Sequence, residues 1–206
     1  LCGPSTLALL FNSLGSQSGE RAHSITDTAI LRQCCPSSEE RTKVLESGMT
    51  LAGAFLDTSK LLFDNATSMH IIHAASDKLK MEAKDSIVRT LNTTTDRVAV
   101  NYHMSTAGQI PWGGHFSAVV AYHSESDSML VLDCWPLSGP VWVAWEVLWK
   151  ATRLVDCSSG LTRGFFFLGN PSKNPDIVSV SGSGSLQLQL GAYVNIGYID
   201  EGSYGE

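Results

Sequence analysis

His115-Phe116-Ser117-Ala118-Val119-Val120-Ala121-Tyr122-His123-Ser124-Glu125-Ser126-Asp127-Ser128-Met129-Leu130-Val131-Leu132-Asp133 reads as a β-hairpin: two apolar runs, 116–122 and 129–133, flank a polar turn at 124–128. His115 opens the first strand, Asp133 closes the second, and their midpoint, residue 124, falls on that turn. Directly opposed residues of an antiparallel pair share a face and lie about 5 Å apart, so this imidazole and carboxylate can hydrogen-bond. A turn centred a residue or two later would stagger them. A lone buried Asp is costly unless paired, which leaves two readings, a satisfied structural His–Asp pair or two parts of a catalytic apparatus.

Working outward, Gly113-Gly114 precede His115, and residues without side chains leave room for a substrate backbone to approach. A nucleophile for such a pair is found at the other end of the chain. Leu1-Cys2-Gly3-Pro4-Ser5-Thr6 runs into the apolar residues Leu7, Leu9, Leu10, Phe11 and Leu14, which is the pattern of a buried helix. Pro4 suits a first turn, whose amides need no intrahelical partner, and Ser5 and Thr6 can satisfy free amides there. A thiol at the helix start feels the positive end of the helix dipole, which favours the nucleophilic thiolate. The bland alternative is that Cys2 is simply a small buried hydrophobe. If its helix packs against the hairpin, Cys2, His115 and Asp133 make a Cys-His-Asp triad.

The 206 residues suffice for one domain with a tail, and 43% hydrophobic content can fill a sizeable core. Fourteen basic against twenty acidic residues give a net charge of −6. This balance offers no basic stripe for nucleic acid and no polybasic anchor for a membrane, and no apolar run reaches the length of a membrane span. Neither partner is expected. Five cysteines, Cys2, Cys34, Cys35, Cys134 and Cys157, are an odd number without regular spacing, which points to a reducing, cytoplasmic setting rather than a disulfide framework.

Along the chain, helices are expected from Cys2, over 25–35 up to Pro36, from a Thr50 cap to about Leu62, and over 77–91, with a short strand at 69–74 between the last two. Strands follow at 97–102, with Val98 and Val100 on one face, then in the hairpin and at 163–168, and a helix at 144–155 displays Trp145, Leu148 and Trp149. Helices first and antiparallel strands second make an α+β layout. From Asn170 the composition turns to Ser, Gly, Asn and Asp, so 1–169 is expected to be the domain and 170–206 a linker and tail, with a possible edge strand at 186–190.

Cys2-Gly3 at a helix start, Gly114-His115-Phe116-Ser117, Tyr122-His123, Leu132-Asp133 and Arg163-Gly164-Phe165 together resemble phytochelatin synthase, from Cys2 to about Leu168. The resemblance implies a papain-like cysteine proteinase fold with N-terminal helices packed on an antiparallel sheet. It also implies a reaction: the Cys forms a γ-glutamylcysteinyl thioester from glutathione, releases glycine, and passes the acyl group to a second glutathione. Carried over residue by residue, Cys2 is the nucleophile, His115 the general acid and base, and Asp133 the orienting carboxylate. Gly114 lies against the substrate, and Asp156 and Arg163 form the γ-glutamyl pocket. A carboxylate and a guanidinium suit the free ammonium and carboxylate of a γ-glutamyl group. No tightly bound cofactor and no protein-borne metal site is implied. Cadmium and zinc are expected as activators carried on glutathione thiolates, so the expected partners are glutathione and its metal thiolates.

The departures from the family pattern bear on the second half-reaction. The oxyanion Gln of the family lies upstream of the nucleophile, outside this sequence, which leaves the Cys2 amide as the expected donor. Where the family has an Arg after Tyr-His, this chain has Met104-Ser105, and the basic, tyrosine-bearing segment after the Asp is here Cys134-Trp135-Pro136-Leu137-Ser138. Loss of those groups favours glutathione hydrolysis over transfer. Two further alternatives stand beside these: a non-catalytic thiol module holding metal on Cys34, Cys35 and Cys134, and a papain-like peptidase acting on protein.

Overall fold

A computed structural model describes residues 1–15, 24–63, 67–110, 113–135 and 138–169. The expected linker and tail at 170–206, with its possible edge strand, lie outside the described residues. Six α-helices are found among them: α1 (Cys2–Gly15), α2 (Asp27–Cys34), α3 (Ser38–Ser47), α4 (Leu56–Leu62), α5 (Lys80–Leu91) and α6 (Trp145–Thr152). Six strands, β1 (Ser68–His73), β2 (Arg97–His103), β3 (Gly114–His123), β4 (Ser128–Leu132), β5 (Pro140–Ala144) and β6 (Gly164–Gly169), form one sheet in the order β1-β6-β2-β3-β4-β5. Every neighbouring pair is antiparallel. The α+β layout, with the first helices packed on an antiparallel sheet, is the one expected from the sequence.

Alternation along the central strands explains why both faces of the sheet are covered. Val98, Val100 and Tyr102 of β2 and Phe165 and Phe167 of β6 pack with Ala83 and Ile87 of α5 and Trp145, Leu148 and Trp149 of α6. The intervening Ala99, Phe166 and Leu168 turn to the opposite side and pack with Leu7 and Leu10 of α1, Ile30 of α2 and Phe55. Side chains of a strand alternate between faces, so the run Phe165-Phe166-Phe167 feeds both cores at once. Each fully buried Leu or Phe stabilises the fold by roughly 1.5–3 kcal/mol. On the α1 side, Phe55 stacks on Phe116 at 4.3 Å and meets Phe166 edge-on at 5.2 Å.

Polar anchors fix α1, the element that carries Cys2. The Arg97 guanidinium, buried at 1% exposure, donates from Nε to Ser13 Oγ (2.7 Å) and from Nη2 to Ser13 O (2.9 Å). Ser5 Oγ donates to Asp27 Oδ2 (3.0 Å), and Asn12 exchanges hydrogen bonds with the Ile25 backbone. The helix is thereby tied to β2 at one end and to α2 at the other.

Three local differences from the sequence expectation have physical reasons. Helix α3 was expected as loop, yet Ser37 and Glu40 form a reciprocal capping box, the Ser-x-x-Glu signature. The helix expected from Thr50 begins as a distorted turn over Leu51–Phe55, with Gly53 outside helical geometry, and becomes α-helical only at Leu56. Strand β5, at the sheet edge, has four of its five residues exposed except for a half-buried Val143, and its short pattern on the flank of α6 carried no clear strand period.

Candidate active site

The hairpin forms, with a different register from a turn centred on residue 124. Tyr122 pairs with Met129 and His123 with Ser128, a centre between 125 and 126, and a bulge between Val119 and Ala121 shifts the pairing so that Ala118 meets Leu132. Strand β4 ends at Leu132, one residue before Asp133. The staggered case therefore holds: His115 has Tyr102 of β2 as its Cα partner and reaches Asp133 beyond the end of β4. His115 Nε2 lies 2.6 Å from Asp133 Oδ1.

This pair is buried, His115 at 3% and Asp133 at 8% exposure, and its surroundings favour the charged forms. Burial alone would push the imidazole down, but hydrogen bonds to Asp133, Cys134 and Cys2 raise it far above its ordinary value. Burial would raise the carboxyl, but its bonds to His115 and to the Trp135 amide (3.0 Å) hold Asp133 below the usual range. The other carboxylate oxygen, Oδ2, accepts 2.6 Å from Gln109 Nε2. Tyr102 meets the His115 ring edge-on at 5.7 Å.

Cys2 occupies the first position of α1, as expected. Burial pushes its thiol up, yet a hydrogen bond and charge interaction with His115, aided by the Phe116 amide, lower its pKa overall. With Asp133 on Nε2, Nδ1 is the ring nitrogen left for the sulfur. Gly3 makes the site compact: a Cβ there would stand 2.8 Å from Met49 Sδ. Cys2, His115 and Asp133, 131 positions apart in sequence at their extremes, thus meet at one point, and the arrangement can deliver a thiolate and hold a protonated imidazole next to it.

Arg163 and Gly114 are brought together as well. A Cβ on Gly114 would fall 2.8 Å from Arg163 Nη2 and 3.0 Å from Nε, so the guanidinium lies directly behind the glycine backbone. Arg163 Nη1 donates to Leu154 O (3.0 Å) and Val155 O (2.8 Å), while its buried Nε has no hydrogen-bond partner among the described residues. Asp156 sits on the opposite arm of the loop closed by the Val155–Thr162 bridge. Its carboxylate accepts from the Ser158 amide (3.1 Å) and the Ser159 hydroxyl (3.4 Å), folded back on its own turn.

Two neighbours of the triad escaped the sequence reading. Gln109 stands alone in a loop before the hairpin, and nothing local to it points at Asp133. The sequence places Cys134 in the segment after Asp133 and, as a metal ligand, with Cys34 and Cys35; its Sγ lies 3.9 Å from His115 Nε2, 3.5 Å from Phe116 O and 3.7 Å from Cys2 O. Its adjacency to Asp133 was the available signal. The thiol trio expected for a sequestering module is not assembled: among the described residues, the metal-capable group is His115, Asp133 and Cys134.

A family model described as phytochelatin synthase matches residues 1–165. Glutathione gamma-glutamylcysteinyltransferase 3 of Lotus japonicus is 26% identical over 181 residues, spanning 86% of this chain and 36% of that protein. Glutathione gamma-glutamylcysteinyltransferase 1 of Arabidopsis thaliana is 24% identical over 181 residues, spanning 86% and 35%. The chain thus covers about a third of the length of these relatives. Among solved structures, the peptidase domain of Streptococcus ComA, a bifunctional ABC transporter of a quorum-sensing pathway, superposes with a TM-score of 0.43 at 14% identity, over 82% of this chain and 90% of that one.

Proposed function

The chain belongs to the phytochelatin synthase family, and on that premise we propose that it is a cysteine-dependent acyltransferase acting on glutathione. Cys2, as thiolate, attacks the carbonyl carbon of the cysteinyl–glycine bond. His115, protonated beside it, gives its proton from Nδ1 to the departing glycine amine, and Asp133 on Nε2 keeps the ring in the required orientation. The product is a γ-glutamylcysteinyl thioester on Cys2, which a second glutathione amine or water then resolves, with His115 taking the proton of the incoming nucleophile. The Cys2 amide at the start of α1 is a donor for the oxyanion of each tetrahedral intermediate.

The observation that carries this reading is the lowered Cys2 thiol held against a His115 that is itself fixed by Asp133. The γ-glutamyl group is assigned to the surface where Gly114 backs onto Arg163, whose guanidinium lies directly behind the glycine. Asp156 would meet the substrate ammonium by turning away from Ser158 and Ser159. Cadmium and zinc enter as glutathione thiolates, and hence as part of the substrate. A cytoplasmic setting belongs to the same reading, since all five cysteines are free thiols; no helix among the described residues is long and apolar enough to cross a membrane.

Hydrolysis is the second reading, and the position after Asp133 favours it. Cys134 turns inward toward Cys2 O and Phe116 O and offers no cation to an acceptor glutathione. Incubation with glutathione and cadmium tests both. Glycine release that disappears in Cys2→Ala supports the shared first step, and its persistence in that variant rejects it. Oligomeric γ-glutamylcysteine products identify transfer, and γ-glutamylcysteine alone identifies hydrolysis.

A further inference from the structure

Beside the triad lies a further group that can ligate a metal, the Cys134 thiol, which has no part in the proposed reaction. His115 Nε2, an Asp133 carboxylate oxygen and Cys134 Sγ all lie within 4.8 Å of one another. We propose that these three side chains form a site for a tetrahedral divalent cation of the zinc or cadmium class, and that its occupation switches the triad off.

Donor chemistry selects the ion. An imidazole nitrogen, a carboxylate oxygen and a thiolate suit Zn²⁺ and Cd²⁺, whereas Mg²⁺ and Ca²⁺ want oxygen ligands alone. Bonds of about 2.05 Å to nitrogen and 2.3 Å to sulfur at a tetrahedral angle put the two ligand atoms about 3.6 Å apart, and Nε2 and Sγ already stand at 3.9 Å. The Nε2–Oδ1 separation of 2.6 Å must open to roughly 3.4 Å as the ion replaces the proton between them. Gln109 on Oδ2 and the Trp135 amide on Oδ1 already orient the carboxylate, the outer-sphere support that metal ligands depend on. Cys134 is the half-buried member beside two buried ones, which gives the ion its side of approach. Three protein ligands leave the fourth position to water.

Two protons leave on binding, one from the Cys134 thiol and one from between Nε2 and Oδ1. The imidazole then carries the ion on Nε2 and its single remaining proton on Nδ1, facing Cys2. The positive charge moves from the ring to the ion beyond Nε2, farther from Cys2 and offset by the Cys134 thiolate as well as Asp133, and no nitrogen is vacant to accept a proton. A protein-borne ion here therefore opposes the reaction, unlike an ion brought in on substrate thiolates.

Binding is tested without reference to catalysis. The reduced 206-residue chain is titrated with Zn²⁺ by equilibrium dialysis, and with Cd²⁺ by its ultraviolet thiolate charge-transfer band. The expected result is one ion per chain at this site, weakened at least about 100-fold in Cys134→Ser, which keeps the shape and the hydrogen bond to Phe116 O, and unaltered in the Cys34→Ser/Cys35→Ser/Cys157→Ser variant. Equal affinity in wild type and Cys134→Ser, a loss confined to the triple variant, or no binding by wild type overturns the proposal. Zinc should also slow alkylation of Cys2, followed by peptide mass spectrometry, several-fold in wild type and not in Cys134→Ser; an equal response in both overturns the switch. Both readouts remain valid if glutathione is not the substrate.

Discussion

Gln109 Nε2 donates a 2.6 Å hydrogen bond to Asp133 Oδ2, on the carboxylate oxygen that His115 does not use. The carboxylate is thus held from both sides, and the imidazole it orients inherits that rigidity. Gln109→Ala should lower kcat for glycine release by about 10- to 100-fold, the usual effect of removing an outer support, with KM little changed. Gln109→Glu places a second carboxylate against Asp133, raises its pKa, and should move the acid limb of the activity profile to higher pH. A profile that stays in place would reject the positioning role.

Asp133→Asn keeps the shape of the side chain but allows the wrong imidazole tautomer. Turnover should fall by as much as ~10⁴-fold while Cys2 remains titratable with a thiol reagent. Steady-state kinetics together with thiol counting check both halves.

Thiol reactivity carries its own pH signature. Cys2 is lowered and His115 raised, so the thiolate–imidazolium pair persists between those two values, which belong to the coupled pair. Iodoacetamide alkylation of Cys2 should rise as pH climbs through the depressed thiol value and reach its plateau below the ordinary range of about 8.5. In His115→Ala that limb should move upward, because burial then acts on the thiol without the compensating cation.

Gly114→Ala inserts a methyl group 2.8 Å from Arg163 Nη2. What it meets is the guanidinium end of a side chain and not backbone, so the guanidinium gives way, at a modest cost in melting temperature through its bonds to Leu154 O and Val155 O. KM for glutathione should rise with kcat nearly preserved, and Arg163→Ala should raise KM in the same way while also lowering the melting temperature, because Leu154 O and Val155 O lose their donor. A purely structural Arg163 would lower the melting temperature and leave KM alone, so KM decides.

Gly164→Ala has the opposite character. Its Cβ would collide with Ile72 O and stand 2.9 Å from His73 Cα, both on the backbone of the neighbouring strand β1. Neither can swing away, so the β1–β6 pairing must open. Denaturant unfolding should show a loss of about 3 kcal/mol or more.

Local chemistry made much of this protein readable in the amino-acid order. Apolar periodicity placed α1, α5, α6 and the central strands, and Cys2 could be put at a helix start from Pro4 and the Leu run alone. The pairing of His115 with Asp133 followed from hairpin logic, although the reason they meet differs from a simple opposition: a bulge at Val120 and the end of β4 at Leu132 set the stagger. The tertiary structure alone decided what surrounds the triad. Gln109 reaches Asp133 from a loop 24 residues away, Arg163 comes to lie behind Gly114 from the far end of the domain, and Cys134 folds inward onto α1. Periodicity reports which face of an element is apolar, because burial is a property of each residue with its near neighbours. It does not report which distant polar atoms share one buried volume. That depends on the order of strands in the sheet and on where α1 lies across them, which the packing of both apolar faces fixes only when the whole chain is folded.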